Sequence, residues 1–172
     1  MPLSRPASAA DIHYRVEPTD LHAHLFTVTL TVQRPTASQE LSLPVWIPGS
    51  YLVREFSKNL QALAARQGQR ALQTAQLDKH RWQVQCTEGK PLVLTYQVCA
   101  YDSSVRTAWL DASRGFFNGT SLCLRVHGQE TRPHTLELAR TAATATWAAA
   151  TGLRPLDADK HGFGLYLAAD YD

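Results

Sequence analysis

Cysteine is scarce. Cys86, Cys99 and Cys123 are odd in number and show no Cys-x-x-Cys spacing, which rules out a disulfide framework and a four-thiolate zinc site. Sparse thiols of this kind suit a reducing compartment, so the expectation is a cytoplasmic protein. Charge of one sign is lacking as well. Seventeen Lys and Arg stand against fifteen Asp and Glu, a net charge of +2, and the basic residues are scattered. Phosphate neutralisation needs a clustered basic face, so no nucleic-acid partner is expected. Eighteen apolar residues never run together, so no membrane-spanning helix can be written. Residues 1–11, with Pro2 and Pro6, hold no apolar stretch to serve as a signal-peptide core.

The usual signatures of catalysis are missing too. There is no Gly-x-Ser-x-Gly elbow, and Ser50 in Pro48-Gly49-Ser50-Tyr51 lacks the following glycine and helix that would expose a nucleophile, so it reads as a turn serine. Gly162-Phe163-Gly164 is a glycine pair without the rest of a phosphate-binding fingerprint. No His-Glu-x-x-His occurs. His22 and His24 flank Ala23 at strand spacing, which would put two imidazoles on one face as a metal site needs. No third ligand is fixed by local spacing, and the same pair reads equally as two exposed histidines opening a strand. His13, His80, His127, His134 and His161 are isolated and default to surface or capping roles.

What the sequence does have is strand periodicity. Strict alternation puts Phe26, Val28, Leu30 and Val32 on one face and Thr27, Thr29 and Thr31 on the other, the pattern of a half-buried strand. The same period recurs at Ile12, Tyr14, Val16; at Leu41, Leu43, Val45; at Leu92, Leu94, Tyr96, Val98; and at Leu122, Leu124, Val126. Pro44 within its run would mark an edge strand or a bulge. Leu60 to Val84 predicts a hairpin around Gln67-Gly68-Gln69 and a strand through Arg81-Trp82-Gln83-Val84. Ala and Thr pull residues 139–150 in opposite directions, and irregular or strand structure is favoured there. The chain has 172 residues, 44% of them hydrophobic. One domain of this size buries roughly 70% of its unfolded surface and needs no staple. With almost no helical stripe, the expected fold is all-β, an antiparallel β-sandwich with little helix.

Two turns and four tryptophans offer binding surfaces. Pro48-Gly49 has the residues of a type II turn, and Asn118-Gly119 is a favoured type I′ hairpin pair. Each is also adequately read as a turn and nothing more. Trp46, Trp82, Trp109 and Trp147 would make a sugar-stacking platform if two were exposed on one face, but Trp46 and Trp82 lie in or beside apolar alternations and read as core.

Several strings together resemble a known family. Leu43-Pro44-Val45-Trp46-Ile47-Pro48-Gly49-Ser50-Tyr51 with Arg54-Glu55-Phe56, then Asp78-Lys79-His80-Arg81-Trp82, then Tyr96-Gln97-Val98 with Tyr101-Asp102-Ser103-Ser104-Val105-Arg106, and finally Gly115-Phe116-Phe117-Asn118-Gly119-Thr120-Ser121-Leu122 resemble, in this order, the amino-terminal domain of the glycyl aminopeptidase family of zinc metallopeptidases. Many members also carry a PDZ domain. The resemblance runs from about Ile12 to Asp172 and implies a β-sandwich packed on a thermolysin-like catalytic domain of the same polypeptide, which releases amino-terminal Gly or Ala. In that family the zinc and its ligands belong to the catalytic domain. Their motifs are absent here, so the resemblance implies no catalytic residue, no metal ligand and no cofactor in this chain.

The organisation expected is an extended or disordered segment at 1–11, a single sandwich domain at 12–168, and the start of a hinge at 169–172. The resemblance implies a supporting role, walling the substrate cleft. Tyr51 and Arg54, after the Pro-Gly turn, and Asn118, Gly119 and Thr120, at the hairpin tip, are the candidate cleft residues. Arg106 is the candidate for a bidentate carboxylate contact across the domain interface. The competing reading is a free-standing β-sandwich that binds peptide or glycan through an edge strand or exposed aromatics.

Overall fold

The computed structural model describes residues 10–172, so most of the expected amino-terminal segment lies outside the described residues. Asp11 is placed, held by the guanidinium groups of Arg34 and Arg132.

The fold is a β-sandwich of two unequal sheets. In chain order the strands are β1 (Ile12–Asp20), β2 (Leu25–Val32), β3 (Ser38–Ser42), β4 (Leu60–Gln67), β5 (Arg70–Leu72), β6 (Thr74–Gln76), β7 (Arg81–Gln85), β8 (Leu92–Cys99), β9 (Ala108–Leu110), β10 (Gly115–Phe117), β11 (Arg125–Val126), β12 (His134–Leu138), β13 (Arg154–Ala158) and β14 (Gly164–Ala168). The larger sheet has eight strands in the order β13-β14-β12-β1-β2-β8-β4-β5, and the smaller has four, β11-β3-β7-β6. β9 and β10 form a separate hairpin. All ladders are antiparallel except β1 with β12, which run parallel.

Register follows the apolar alternation. Tyr14 stands opposite Leu30, and Leu30 opposite Leu94, so residues that alternate along each strand line up across strands on one inner face. That face meets Leu41, Trp82, Val84 and Val126 of the smaller sheet in one buried cluster. Gln39 sits there at 0% exposure. It is tolerated because its side-chain amide donates to the carbonyls of Glu40 and His127 while its oxygen accepts from the Thr36 amide.

Four local expectations are corrected. Leu122 and Leu124 are fully buried but only Arg125–Val126 joins a sheet; the preceding Gly119–Leu122 is a single helical turn, α1. Backbone satisfaction there comes from tyrosines: Tyr96, Tyr171 and Tyr14 hydroxyls donate to the carbonyls of Leu122, Cys123 and Leu124 at 2.7, 2.7 and 2.6 Å. With those groups paired, the segment needs no ladder. β3 ends before Pro44 and lies between β11 and β7, so the proline terminates an interior strand instead of marking an edge. His22 and His24 are in the β1–β2 turn, not on a strand, with His24 in a left-handed conformation at φ 58°. Its Nδ1 is bonded to the Leu110 carbonyl at 2.5 Å. Trp46, expected in the core, is 55% exposed.

Within residues 139–150 a single 3-10 turn, Ala142–Thr144, interrupts otherwise irregular chain. At the carboxyl end, Tyr171 is tied down by its backbone amide on the Glu130 carbonyl as well as by its hydroxyl.

Candidate functional site

Three loops meet at one end of the sandwich, and they carry all six candidate residues. The first, residues 43–55, leaves β3 and is organised by the Pro48-Gly49 turn. Gly49 has φ 79° and the Ser50 amide closes on the Ile47 carbonyl at 3.1 Å, as a type II turn requires. Ser50 is buried and acts as a local hub. Its hydroxyl donates to the Leu52 carbonyl at 3.0 Å and accepts from Arg54 Nε at 3.2 Å. The Trp46 indole donates to the Ser50 carbonyl at 2.8 Å. This frame leaves Tyr51 wholly exposed, at 103%, with Leu52 and Val53 exposed beside it. Arg54 is half-buried; its Nε is committed to Ser50, while its terminal amino groups bond to none of the described residues.

The second loop, residues 101–107, turns on Thr107, whose hydroxyl bonds the carbonyls of Asp102 and Ser104. Val105 and Arg106 project from its tip. Arg106 meets no carboxylate among the described residues. Tyr101 leads into the loop, stacking on Trp109 with ring centroids 4.9 Å apart and meeting the His24 ring at a tilt of 35° with centroids 4.2 Å apart, while remaining exposed.

The third element corrects an expectation. Asn118 is not in a type I′ turn, because its φ of −91° is extended and it caps α1. Its side-chain oxygen accepts from the Thr120 amide at 3.1 Å and from the Thr120 hydroxyl at 2.7 Å, satisfying a donor that the helix start leaves free. The Asn118 amide donates to the Thr107 carbonyl, and Ser121 Oγ donates to the same carbonyl. The second loop and α1 are thereby locked together. The first loop joins them through the 3-10 turn Phe56–Asn59, which packs against α1. This arrangement places exposed apolar groups (Trp46, Tyr51, Leu52, Val53, Tyr101, Val105) and the two arginines on loops joined by hydrogen bonds between the second loop and α1 and by packing of the Phe56–Asn59 turn on α1.

A cavity of about 560 Å³ opens beside α1. It lies on the inner face of β1, β12 and β14, beyond the smaller sheet, and Phe117, Asn118, Trp147 and Phe163 contribute to its wall. Asn118, Gly119 and Thr120 line it; Tyr51, Arg54 and Arg106 do not. Sequence reasoning missed this cavity. His134 in its wall, read as an isolated surface histidine, is only 3% exposed, and burial lowers its pKa. The available signal was its position two residues before Leu136, in phase with the Leu136, Leu138 alternation of β12. Burial also pushes the Cys123 thiol up to about 12, the opposite of an activated nucleophile. Among the described residues, no group of three or more His, Cys, Asp or Glu is arranged to hold a metal ion.

Residues 13–172 match the family model described as the Peptidase M61 N-terminal domain. Among solved structures, an aminopeptidase N family protein from Idiomarina loihiensis superimposes with a TM-score of 0.90 at 45% sequence identity, over 94% of this chain and 27% of that one. An M1 zinc metallopeptidase from Deinococcus radiodurans gives a TM-score of 0.48 at 18% identity, over 94% of this chain and 39% of that one. The chain therefore spans little more than a quarter of the Idiomarina protein. No curated protein matches.

Proposed function

The chain belongs to the Peptidase M61 N-terminal domain family, and from that membership we propose that it is the non-catalytic accessory domain of a zinc-dependent aminopeptidase, packing on a catalytic domain of the same polypeptide and walling its substrate cleft. The parent enzyme is cytoplasmic, releases amino-terminal Gly or Ala from peptides and carries a PDZ domain. The observation that carries the cleft role is the set of three interlocked loops. Among the described residues, seven of the nine exposed large hydrophobic side chains lie on them or, in the case of Phe116, beside them. Tryptophan, tyrosine and arginine are the residue types that anchor protein interfaces. Water-exposed Tyr51, Leu52 and Val53 gain about 25 cal/mol for each Å² that a partner covers. Arg54 and Arg106 bring guanidinium groups with no carboxylate partner among the described residues, a group that matches carboxylates bidentately.

Among the described residues no donor set fits zinc, and no catalytic step is routed through this domain. Zinc in a catalytic domain supplies Lewis acidity to a bound water and to the scissile carbonyl. The residues of this domain exclude bulk water and position the peptide by closing one side of the cleft.

The test uses the full-length polypeptide and Gly- and Ala-anilide substrates. Tyr51→Ala and Arg54→Ala are expected to lower kcat/KM by about fivefold or more, the loss of an interface anchor worth ~1 kcal/mol or above, with unchanged thermal unfolding. Asn118→Ala should do the same with a small loss of stability from the missing cap. Unchanged kinetics across all three would remove the cleft assignment. Anilide cleavage by the purified 172-residue chain would overturn the accessory role.

A further inference from the structure

The apolar inner face of the larger sheet runs on past its own cover. One row across the strands reads Leu94, Leu30, Tyr14, Leu136 and Tyr166, and the next reads Tyr96, Val28, Val16 and Leu138. Leu94, Leu30, Tyr96 and Val28 are 0% exposed. In the same rows Leu136 and Leu138 are only half-buried, because they stand in the wall of the cavity beside α1. Trp147, Leu153 and Phe163 on its other walls are half-buried too. A contiguous apolar surface left partly in water marks a place where another segment is received.

Position, chemistry and chain length say what that segment is. Tyr171 is fixed at the cavity by its amide on the Glu130 carbonyl at 2.9 Å and its hydroxyl on the Cys123 carbonyl at 2.7 Å, and Asp172 stands in the wall itself. Polypeptide joined to Asp172 therefore starts at this space. Three or four extended residues reach about 10–14 Å, enough to enter it. The wall contains no Lys or Arg, and its charged side chains are Asp170 and Asp172, so an anionic partner has nothing to pair with there while an apolar one has the leucines and aromatic rings. The family matched is an amino-terminal domain, and the chain covers 27% of the Idiomarina protein, so the parent proposed above continues past this point. A segment tethered there has an effective concentration of roughly millimolar order, which favours it over a free molecule for the same surface.

We propose that the segment following Asp172 in the parent polypeptide turns back into this cavity and covers Leu136, Leu138, Trp147 and Phe163 with apolar side chains of its own. It completes the cover of the larger sheet, which the four-stranded sheet leaves unfinished. Asn118, Gly119 and Thr120 line the same space, so the segment also ties the domain's exit to α1 and to the surface assigned to the cleft. The proposal rests on the accessory-domain reading, because only a longer parent supplies the segment.

The experiment is hydroxyl-radical footprinting of the full-length polypeptide, read by mass spectrometry and corrected for each side chain's intrinsic reactivity. Leu77 and Leu156, 44% and 38% exposed and outside the cavity wall, are the exposed references, and Leu30 is the buried one. Leu136, Leu138, Trp147 and Phe163 should lose their oxidation to the level of Leu30. Replacing the large apolar residues among the first ten or so after Asp172 by Ser, one at a time, should return Trp147 and Phe163 to the rate of Leu156 in at least one variant. Leu30 staying unreactive in that variant shows the sandwich intact. Oxidation of Trp147 and Phe163 at the rate of Leu77 in the unaltered protein would overturn the proposal. Protection that no Ser replacement relieves would overturn it too, by assigning the cover to another part of the parent. Tyr51 and Val105 report on the loops in the same experiment. Protected loops beside a reactive cavity would refute this proposal and leave the accessory-domain reading standing; reactive loops beside a cavity that a Ser replacement opens would remove the cleft assignment and leave the segment in place.

Discussion

Tyrosine hydroxyls replacing a β-ladder make a sharp prediction about stability. Tyr96 is 0% exposed; its hydroxyl donates to the Leu122 carbonyl at 2.7 Å and accepts from the Leu124 amide at 3.1 Å. Tyr96→Phe removes only that oxygen, so no cavity larger than the hydroxyl forms and the ring packing survives. Two buried backbone groups lose their partner. Each unsatisfied buried group costs about 1–3 kcal/mol, and after partial relaxation the pair should cost roughly 3 kcal/mol. For a chain of this length each kcal/mol moves Tm by about 2–4 °C, giving a fall of roughly 6–12 °C. Tyr14→Phe strips one donor from the Leu124 carbonyl and should cost about half as much. Tyr171 is half-buried, so water can replace its hydroxyl at the Cys123 carbonyl and Tyr171→Phe should cost less than about 1 kcal/mol. Urea unfolding of the three variants gives the order directly. A Tyr96→Phe protein within about 0.5 kcal/mol of the parent, about the smallest dependable difference, or a Tyr171→Phe loss larger than that of Tyr96→Phe, would refute the account of how residues 122–124 are held.

The remaining predictions concern pH and two glycines. Burial raises the phenol pKa of Tyr14, Tyr96 and Tyr171 above the ordinary 10.0 and pushes the Cys123 thiol from 9.0 up to about 12. The folded state then holds protons that the unfolded state releases, so stability should be intact below about pH 9 and fall steadily as pH rises beyond it, in alkaline unfolding curves. His134 and His13 behave in the opposite sense. Burial lowers their pKa from 6.5, so their contribution is present above pH 6.5 and is lost as pH falls through the depressed folded values. Urea midpoints at pH 7 and pH 5 should differ accordingly, and His134→Gln should narrow the difference. A Cβ at Gly164, where φ is +135°, would sit 2.2 Å from the Asp157 carbonyl oxygen, so Gly164→Ala should cost about 3 kcal/mol or more by forcing β13 and β14 apart. Gly68→Ala is the control: φ is +58° with open space around it, and about 1 kcal/mol of left-handed strain is all it should lose.

The strands that were legible in the sequence are those whose alternation coincides with a complete ladder. Ile12 to Val16, Phe26 to Val32 and Leu92 to Val98 alternate because one face of each is in the core, and each has hydrogen-bonded neighbours on both sides. Leu122, Leu124 and Val126 alternate just as cleanly, yet alternation reports burial of side chains and not the partner of the backbone. Val126 does join a ladder, but the backbone of residues 122–124 is partnered by tyrosine hydroxyls between 26 and 110 residues away in sequence, which no local window contains. Asn118-Gly119 failed for a similar reason. The pair suits a type I′ turn and an N-cap equally, and the Thr107 carbonyl that accepts from the Asn118 amide and from Ser121 Oγ decides between them from the neighbouring loop. The candidate loops themselves were legible as turn chemistry, since Pro48-Gly49 sets its own geometry. Their convergence was not, because it depends on Thr107 and on packing between α1 and the Phe56–Asn59 turn.

The mismatch between the sheets explains why a cavity exists where it does. Eight strands cannot be covered by four, so the inner faces of β1, β12 and β14 extend past the smaller sheet and must be roofed by other chain. The roof is irregular: α1 and the β10 hairpin on one side, residues 147–151 on another, and Tyr171 on a third. A second sheet would interdigitate with the first at a spacing of about 10 Å and fill the gap. Separate segments, each fixed by its own hydrogen bonds, meet the sheet at points and leave space between them. His134 opens β12 on this under-covered face, opposite Ile12 and Ala168, with one nitrogen spent on its own loop and no strand above to pair the other. The same shortage of covering strands thus accounts for the cavity and for the lack of a partner for His134 Nε2 among the described residues.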